Sequence, residues 1–174
     1  MDKHLTLGVN ILEAIATDDF ELLEELFQQG ERSYLELSPK EGWNWLHKSL
    51  LGFEADAPSR KMIEHLINKG IDVNAQDMYG MTPLHYAMRS RNVDAAIALL
   101  NAGANPNIPN QDNLIPLSMI GYLPDRLDVL ELMLEKGANV HFLVNENKSI
   151  LESYKPTPSE PHLSPIYELM MKYS

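Results

Sequence analysis

Apolar positions along this chain recur at helical spacing in short blocks, and polar, glycine-bearing turns separate the blocks. The pattern is clearest over residues 78–112. Leu84, Ala87 and Met88 give a first helix one apolar face. Thr82 can cap that helix, and Pro83 takes its first position, where a missing N–H is no loss. Ala96, Ile97, Leu99 and Leu100 predict a second helix from Val93 to about Asn101, and Gly103 supplies a left-handed stop. A lone pair of helices this short leaves an apolar face in water, whereas stacking against like neighbours buries it.

The pattern repeats. Gly30, Gly70, Gly103 and Gly137 are spaced 40, 33 and 34 residues apart. Leu12, Leu46, Leu84, Leu117 and Leu151 are spaced 34, 38, 33 and 34. Two landmarks sharing a period near 33 predict a solenoid of helix pairs. The expected units lie in one domain, 1–174, and cover about 5–38, 39–76, 77–109, 110–143 and 144–174. The first holds helices over roughly 5–17 and 19–29, and the last ends in a helix from about Pro165 to Lys172. The positions matching Thr82 are Asn10, Asn44, Ile115 and Ser149. Ser149-Ile150-Leu151-Glu152 is a capping box, and Asn10-Ile11-Leu12-Glu13 has a similar form. Ile115 carries no capping atom, so the fourth unit starts its helix less securely.

The run Asp77-Met78-Tyr79-Gly80-Met81-Thr82-Pro83-Leu84-His85-Tyr86-Ala87 resembles the signature of the ankyrin repeat family. Gly103-Ala104-Asn105-Pro106-Asn107 resembles its closing turn. The likeness is specific over residues 77–112 and is carried elsewhere by landmark and spacing, together about residues 5–173. It implies an all-α ankyrin repeat solenoid of about five helix–turn–helix units joined by β-turn or hairpin-like loops. It also implies that His47 and His85, in equivalent places, are structural, each bonding to its cap residue and to adjacent backbone. The cap in the second unit is Asn44, so the bond there is expected to differ, and Ser118 replaces the histidine in the fourth.

Three insertions depart from the family pattern. They fall at Gly52-Phe53-Glu54-Ala55-Asp56-Ala57-Pro58, near Leu123-Pro124-Asp125, and at Lys155-Pro156-Thr157-Pro158-Ser159-Glu160-Pro161. Three prolines in the last forbid a continuous helix. All three join a first helix to a second, on one side of the solenoid. They are read as tolerated loop additions, or else as a rim that touches a partner.

Composition narrows the classes of function. A hydrophobic content of 44% and a charged content of 22% are ordinary for a soluble globular chain. With no cysteine, disulfides, thiolate zinc sites and cysteine nucleophiles are excluded. There is no signal-peptide pattern at the start and no run approaching the ~18 apolar residues of a membrane span, so a cytoplasmic protein without a membrane partner is expected. The net charge of −11 comes without a basic stripe, which argues against nucleic acid. Residues 1–41 hold ten acidic and three basic residues, a net of −7. That is read as a solvated face or as a lure for a basic partner.

Candidate chemistry is sparse. His4, His47, His65, His85, His141 and His162 have no zinc-ligand spacing, and the isolated turn glycines form no phosphate loop. Asp18-Asp19 and Glu24-Glu25 are paired carboxylates, but on an expected solvent-facing helix. No enzyme and no cofactor is expected. The resemblance implies instead a concave groove lined by the turn tips and the exposed face of each first helix. By register its residues are Lys40, Glu41, Trp43 and Leu51; Gln76, Met78, Tyr79, Met81 and Arg89; Gln111, Asp112, Leu114 and Tyr122; and Asn145, Glu146 and Lys148. Trp43, Met78, Tyr79, Met81, Leu114 and Tyr122 make that set unusually apolar, as interface cores are. The expected function is non-enzymatic binding of a protein by a chain that is monomeric when free. It is read as an inhibitor, such as a bacterial immunity protein neutralising a toxin; the alternative is an adaptor or secreted effector that scaffolds host proteins.

Overall fold

The structure, a computed structural model, describes residues 3–52, 57–145 and 148–174, without the side chains of Lys3, His4 and Asn145. Phe53 to Asp56 of the first insertion and Glu146 of the groove set lie outside the described residues. Helix pairs follow one another along the chain. They are α1 (Lys3–Ala16) with α2 (Phe20–Gln28), α3 (Trp45–Ser49) with α4 (Arg60–Asn68), and α5 (Pro83–Ser90) with α6 (Val93–Asn101). Next come a 3-10 helix (Pro116–Tyr122) with α7 (Leu127–Glu135), then α8 (Ile150–Ser153) with α9 (Ser164–Lys172). First helices touch first helices, as in α1 on α3, α3 on α5 and α5 on the 3-10 helix. Second helices form the other layer, as in α4 on α6, α6 on α7 and α7 on α9. The family's solenoid architecture is what the structure shows. The turn before α8 is hairpin-like, as the resemblance implies: β1 (Leu143–Asn145) and β2 (Lys148–Ser149) pair antiparallel there.

The core runs the length of the stack between the layers. Leu46, Leu84 and Leu117 are fully buried. Leu12 is only partly buried, because among the described residues nothing stacks on the outer side of α1.

The start signals are mostly as expected. Asn44 Oδ1 accepts from the His47 N–H at 3.0 Å while the Asn44 N–H donates to His47 Nδ1 at 3.2 Å. Ser149 and Glu152 form the expected capping box, with Ser149 N–H to Glu152 Oε2 at 2.8 Å and Glu152 N–H to Ser149 Oγ at 3.2 Å. Asn10 is a correction. It is exposed in the middle of α1, which begins about two turns earlier at Lys3. The reason is the buried series Leu7, Ile11, Ala14 and Ile15, which keeps one helical face apolar across the supposed cap. In the fourth unit Ile115 makes no capping bond, and the segment it opens is the tighter 3-10 form.

Glu24 also departs from expectation. It is half-buried, not on a free solvent face, and its Oε1 lies 2.5 Å from Lys69 Nζ and 3.0 Å from His65 Nε2 on α4. The Lys69 contact holds its carboxyl below the usual carboxylate range. These contacts tie α2 to α4 and its C-cap residue.

Candidate functional site: the concave groove

The groove is built from the turns upward. The turn at residues 77–81 closes with Asp77 N–H to the Met81 carbonyl at 3.0 Å and Gly80 N–H to the Asp77 carbonyl at 2.9 Å. Gly80 has φ +73°, and a Cβ there would lie 3.1 Å from Asn110 Cα in the next turn. Glycine is thus required for conformation and for close approach. The tips then bond in series: Met78 N–H to the Glu41 carbonyl at 2.7 Å, and Gln111 N–H to the Tyr79 carbonyl at 2.9 Å.

Asp77 organises the third turn and its contact with the second. Its Oδ1 accepts the backbone N–H groups of Tyr79 and Met81, both at 2.9 Å. Its Oδ2 accepts Tyr86 Oη at 2.6 Å and Trp43 Nε1 at 2.9 Å. Burial opposes ionisation of this carboxyl, yet the donors from Tyr86, Trp43, Met81 and Tyr79 outweigh it and hold it below the usual range. Burial and the Asp77 carboxylate in turn push the Tyr86 hydroxyl up to about 12.

Behind the turns, the two equivalent histidines lock unit to unit. His85 Nε2 lies 3.0 Å from the Leu114 carbonyl, so that nitrogen carries the proton, and Nδ1 receives the Thr82 N–H at 3.1 Å and its hydroxyl at 2.9 Å. His47 Nε2 likewise faces the Met81 carbonyl at 3.1 Å. Its cap offers an amide oxygen, 2.7 Å from Nδ1, which can accept but not donate as the threonine hydroxyl does. Both rings are fully buried, and burial keeps both pKa values below the ordinary histidine range. In the fourth unit Ser118 Oγ is buried without a hydrogen-bond partner.

The sequence-derived residues differ in exposure. Met78, Tyr79 and Tyr122 project, at 45%, 51% and 47% exposure. Trp43, Leu51, Arg89 and Leu114 are half-buried, and Met81 is buried, its sulfur accepting from Asn110 Nδ2 at 3.2 Å. Trp43 leans on Asp77, so it is a wall rather than a prong. Gln76 and Gln111 are exposed, but their side-chain amides hold neighbouring turns: Gln76 Nε2 donates to the Gly80 and Pro109 carbonyls, Gln111 Nε2 to the Met78 carbonyl. Lys40, Asp112 and Lys148 are exposed and Glu41 is half-buried.

Eight residues of three units converge on an open cavity of about 330 Å³: Trp43, Leu51, Tyr79, Met81, Tyr86, Arg89, Asn110 and Asp112. Tyr86 and Asn110 are absent from the sequence-derived set, because each faces the groove only through its unit's stacking. Among the described residues no cluster of three or more histidine and carboxylate side chains is placed to hold a metal ion. Nor is any described helix long and apolar enough to cross a membrane.

Stacked helix pairs, turn tips bonded in series and histidines locking the second unit to the third turn and the third unit to the fourth define a helical repeat solenoid. The chain belongs to the ankyrin repeat family: the family model for ankyrin repeats (3 copies) matches residues 11–110 and 54–143. It is similar to an ankyrin repeat protein of fowlpox virus (strain NVSL), with 34% identity over 102 residues, which are 58% of this chain and 14% of the viral one. An ankyrin repeat protein of Rickettsia bellii (strain RML369-C) is 38% identical over 82 residues, 44% of this chain and 23% of its own length. Human neurogenic locus notch homolog protein 1 is 48% identical over 56 residues, 32% of this chain and 2% of that one. The chain thus spans less than a quarter of the length of each of these relatives. Ankyrin repeats are protein–protein interaction modules, typically non-enzymatic.

Proposed function

We propose that the chain binds a segment of another protein in its concave groove. The observation that carries this reading is the cavity between the second, third and fourth units, walled by Trp43, Leu51, Tyr79, Met81 and Tyr86. Tyr86 stands on α5, and Trp43, Tyr79 and Met81 on bonded turns, so little of their conformational freedom is lost when a partner docks. The contact surface is then Lys40, Glu41, Trp43, Leu51, Gln76, Met78, Tyr79, Met81, Arg89, Gln111, Asp112, Leu114 and Tyr122. An inhibitory or immunity role rests on the net charge of −7 in residues 1–41, which would draw in a basic partner. Its signature is an association rate that falls steeply with salt; a salt-independent rate removes it.

Tyr79→Ala with Leu51→Ala tests the groove, because neither side chain holds the turn network. A bound partner, recovered by affinity capture and identified, is expected to lose about tenfold or more in affinity while circular dichroism shows the variant still folded at the binding temperature; Leu51 packs against the core, so the thermal midpoint falls modestly. Undiminished affinity in that double variant rejects the groove as the docking face.

A further inference from the structure

One end of the groove carries charge opposite to that of the molecule: its second cavity is lined by Arg89 and Arg91 and by no carboxylate, while the first is lined by both Arg89 and Asp112. The chain has five arginines among 25 acidic residues. Three are paired with nearby carboxylates: Arg32 with Glu36, Arg60 with Glu64 and Arg126 with Asp128. Among the described residues, Arg89 and Arg91 have neither a carboxylate partner nor a side-chain hydrogen bond. Arg89 lies in the last turn of α5 and Arg91 is its C-cap residue. With Ser90 and Tyr122 they line a second open cavity, of about 350 Å³, which meets the first at Arg89.

Arg89 is also held in place. Its guanidinium lies over the Tyr86 ring, 4.7 Å from the centroid. The Tyr86 hydroxyl is bonded to Asp77, and Asp77 to the turn backbone. A stacked guanidinium keeps its N–H edge free and fixed in direction, the geometry that receives a carboxylate through two parallel bonds. The C-terminus of α5 attracts positive charge, which accounts for an arginine nearby but uses none of these donors.

We propose that the groove takes an acidic segment of a protein partner, with an aspartate or glutamate carboxylate between Arg89 and Arg91 and a neighbouring apolar side chain against Leu51, Tyr79 and Trp43. This rests on the groove reading above and names the partner's chemistry within it. A basic partner drawn to residues 1–41 would still need such an acidic stretch for its docked segment.

Selection of random peptides displayed on phage against the whole protein tests the inference. Selected peptides are expected to carry Asp or Glu next to an aromatic or aliphatic residue. Their synthetic forms should bind Arg89→Glu with Arg91→Glu about tenfold or more weakly, and peptides with the acid changed to Lys should recover that loss on the charge-reversed protein. Tyr79→Ala with Leu51→Ala is the control for the groove itself. Peptides that need Tyr79 and Leu51 but are neutral or basic, and that ignore the arginine reversal, overturn the acidic assignment and leave the groove reading standing. Peptides indifferent to both double variants, or no selected peptide, overturn both. Retention only of a phosphoserine version of a selected peptide would assign the arginines to phosphate and overturn the carboxylate.

Discussion

Single residues carry more than their own unit. Asp77 binds two backbone N–H groups and two aromatic side chains in a nearly buried site. Asp77→Asn turns part of that acceptor into a donor facing Trp43 and Tyr86, so a loss of about 2–3 kcal/mol in urea unfolding is expected. A change below about 0.5 kcal/mol would show that the network is incidental. The two buried histidines set a pH dependence. Their folded pKa values lie below 6.5, so the unfolded chain takes up protons first as pH falls. The contribution is complete above pH 6.5 and declines below it by up to ~1.4 kcal/mol per pH unit for each ring. Urea midpoints should therefore drop between pH 7.5 and 5.5, and imidazole resonances of His47 and His85 should titrate below 6.5. Either ring titrating at its ordinary value would refute the account.

At the scale of elements, the turns and the fourth helix pair are the informative parts. Gly80 and Gly103 both have positive φ, +73° and +90°. A Cβ at Gly103 meets nothing within 4 Å, whereas one at Gly80 meets the backbone of Asn110 and Gln111 at 3.1 Å. Gly103→Ala should thus cost about 1–2 kcal/mol of backbone strain, and Gly80→Ala distinctly more. Equal losses in chemical denaturation would mean that the turn tips yield to each other. The helices themselves were legible in sequence because Thr82, Asn44 and Ser149 are local signals followed by apolar periodicity. Asn10 misled because a good capping residue is equally comfortable on the exposed side of a continuing helix. The 3-10 form of Pro116–Tyr122 was foreshadowed by Ile115, though only as a weak start.

Across the whole molecule, the stack was readable and its cross-links were not. Period and landmarks give the order of units, but partners such as Trp43 and Asp77 meet 34 residues apart, and nothing local marks them. The same holds for an asparagine series on the loop side. Asn74 Oδ1 accepts from Asn105 N–H at 2.8 Å and Asn107 Oδ1 from Asn139 N–H at 2.8 Å, each across a unit boundary. Each side-chain amide also donates to the next unit's stop glycine, Asn74 to Gly103 at 3.3 Å and Asn107 to Gly137 at 2.8 Å. The groove positions were found by register, whereas the free arginine pair emerges only once every other arginine is seen to be paired. Hydrogen exchange is expected to be slowest in α4, α5 and α6, where both series of cross-links run, and faster in α8 and α9. Uniform protection along the chain would contradict this.

Both series stop at the same boundary. Ser118 stands where a histidine would reach the next turn, and His141 where an asparagine would. Among the described residues, the last unit's backbone meets the fourth through Ile150 N–H to the Phe142 carbonyl at 3.0 Å and Leu151 N–H to the Val140 carbonyl at 2.9 Å, with neither series carried on. Pulled from its two ends, the molecule would therefore not give way as one body. It would peel at this seam first, freeing α8 and α9 at low force while the trunk from α3 to α7 held, and a force–extension trace would record that release as a separate early step.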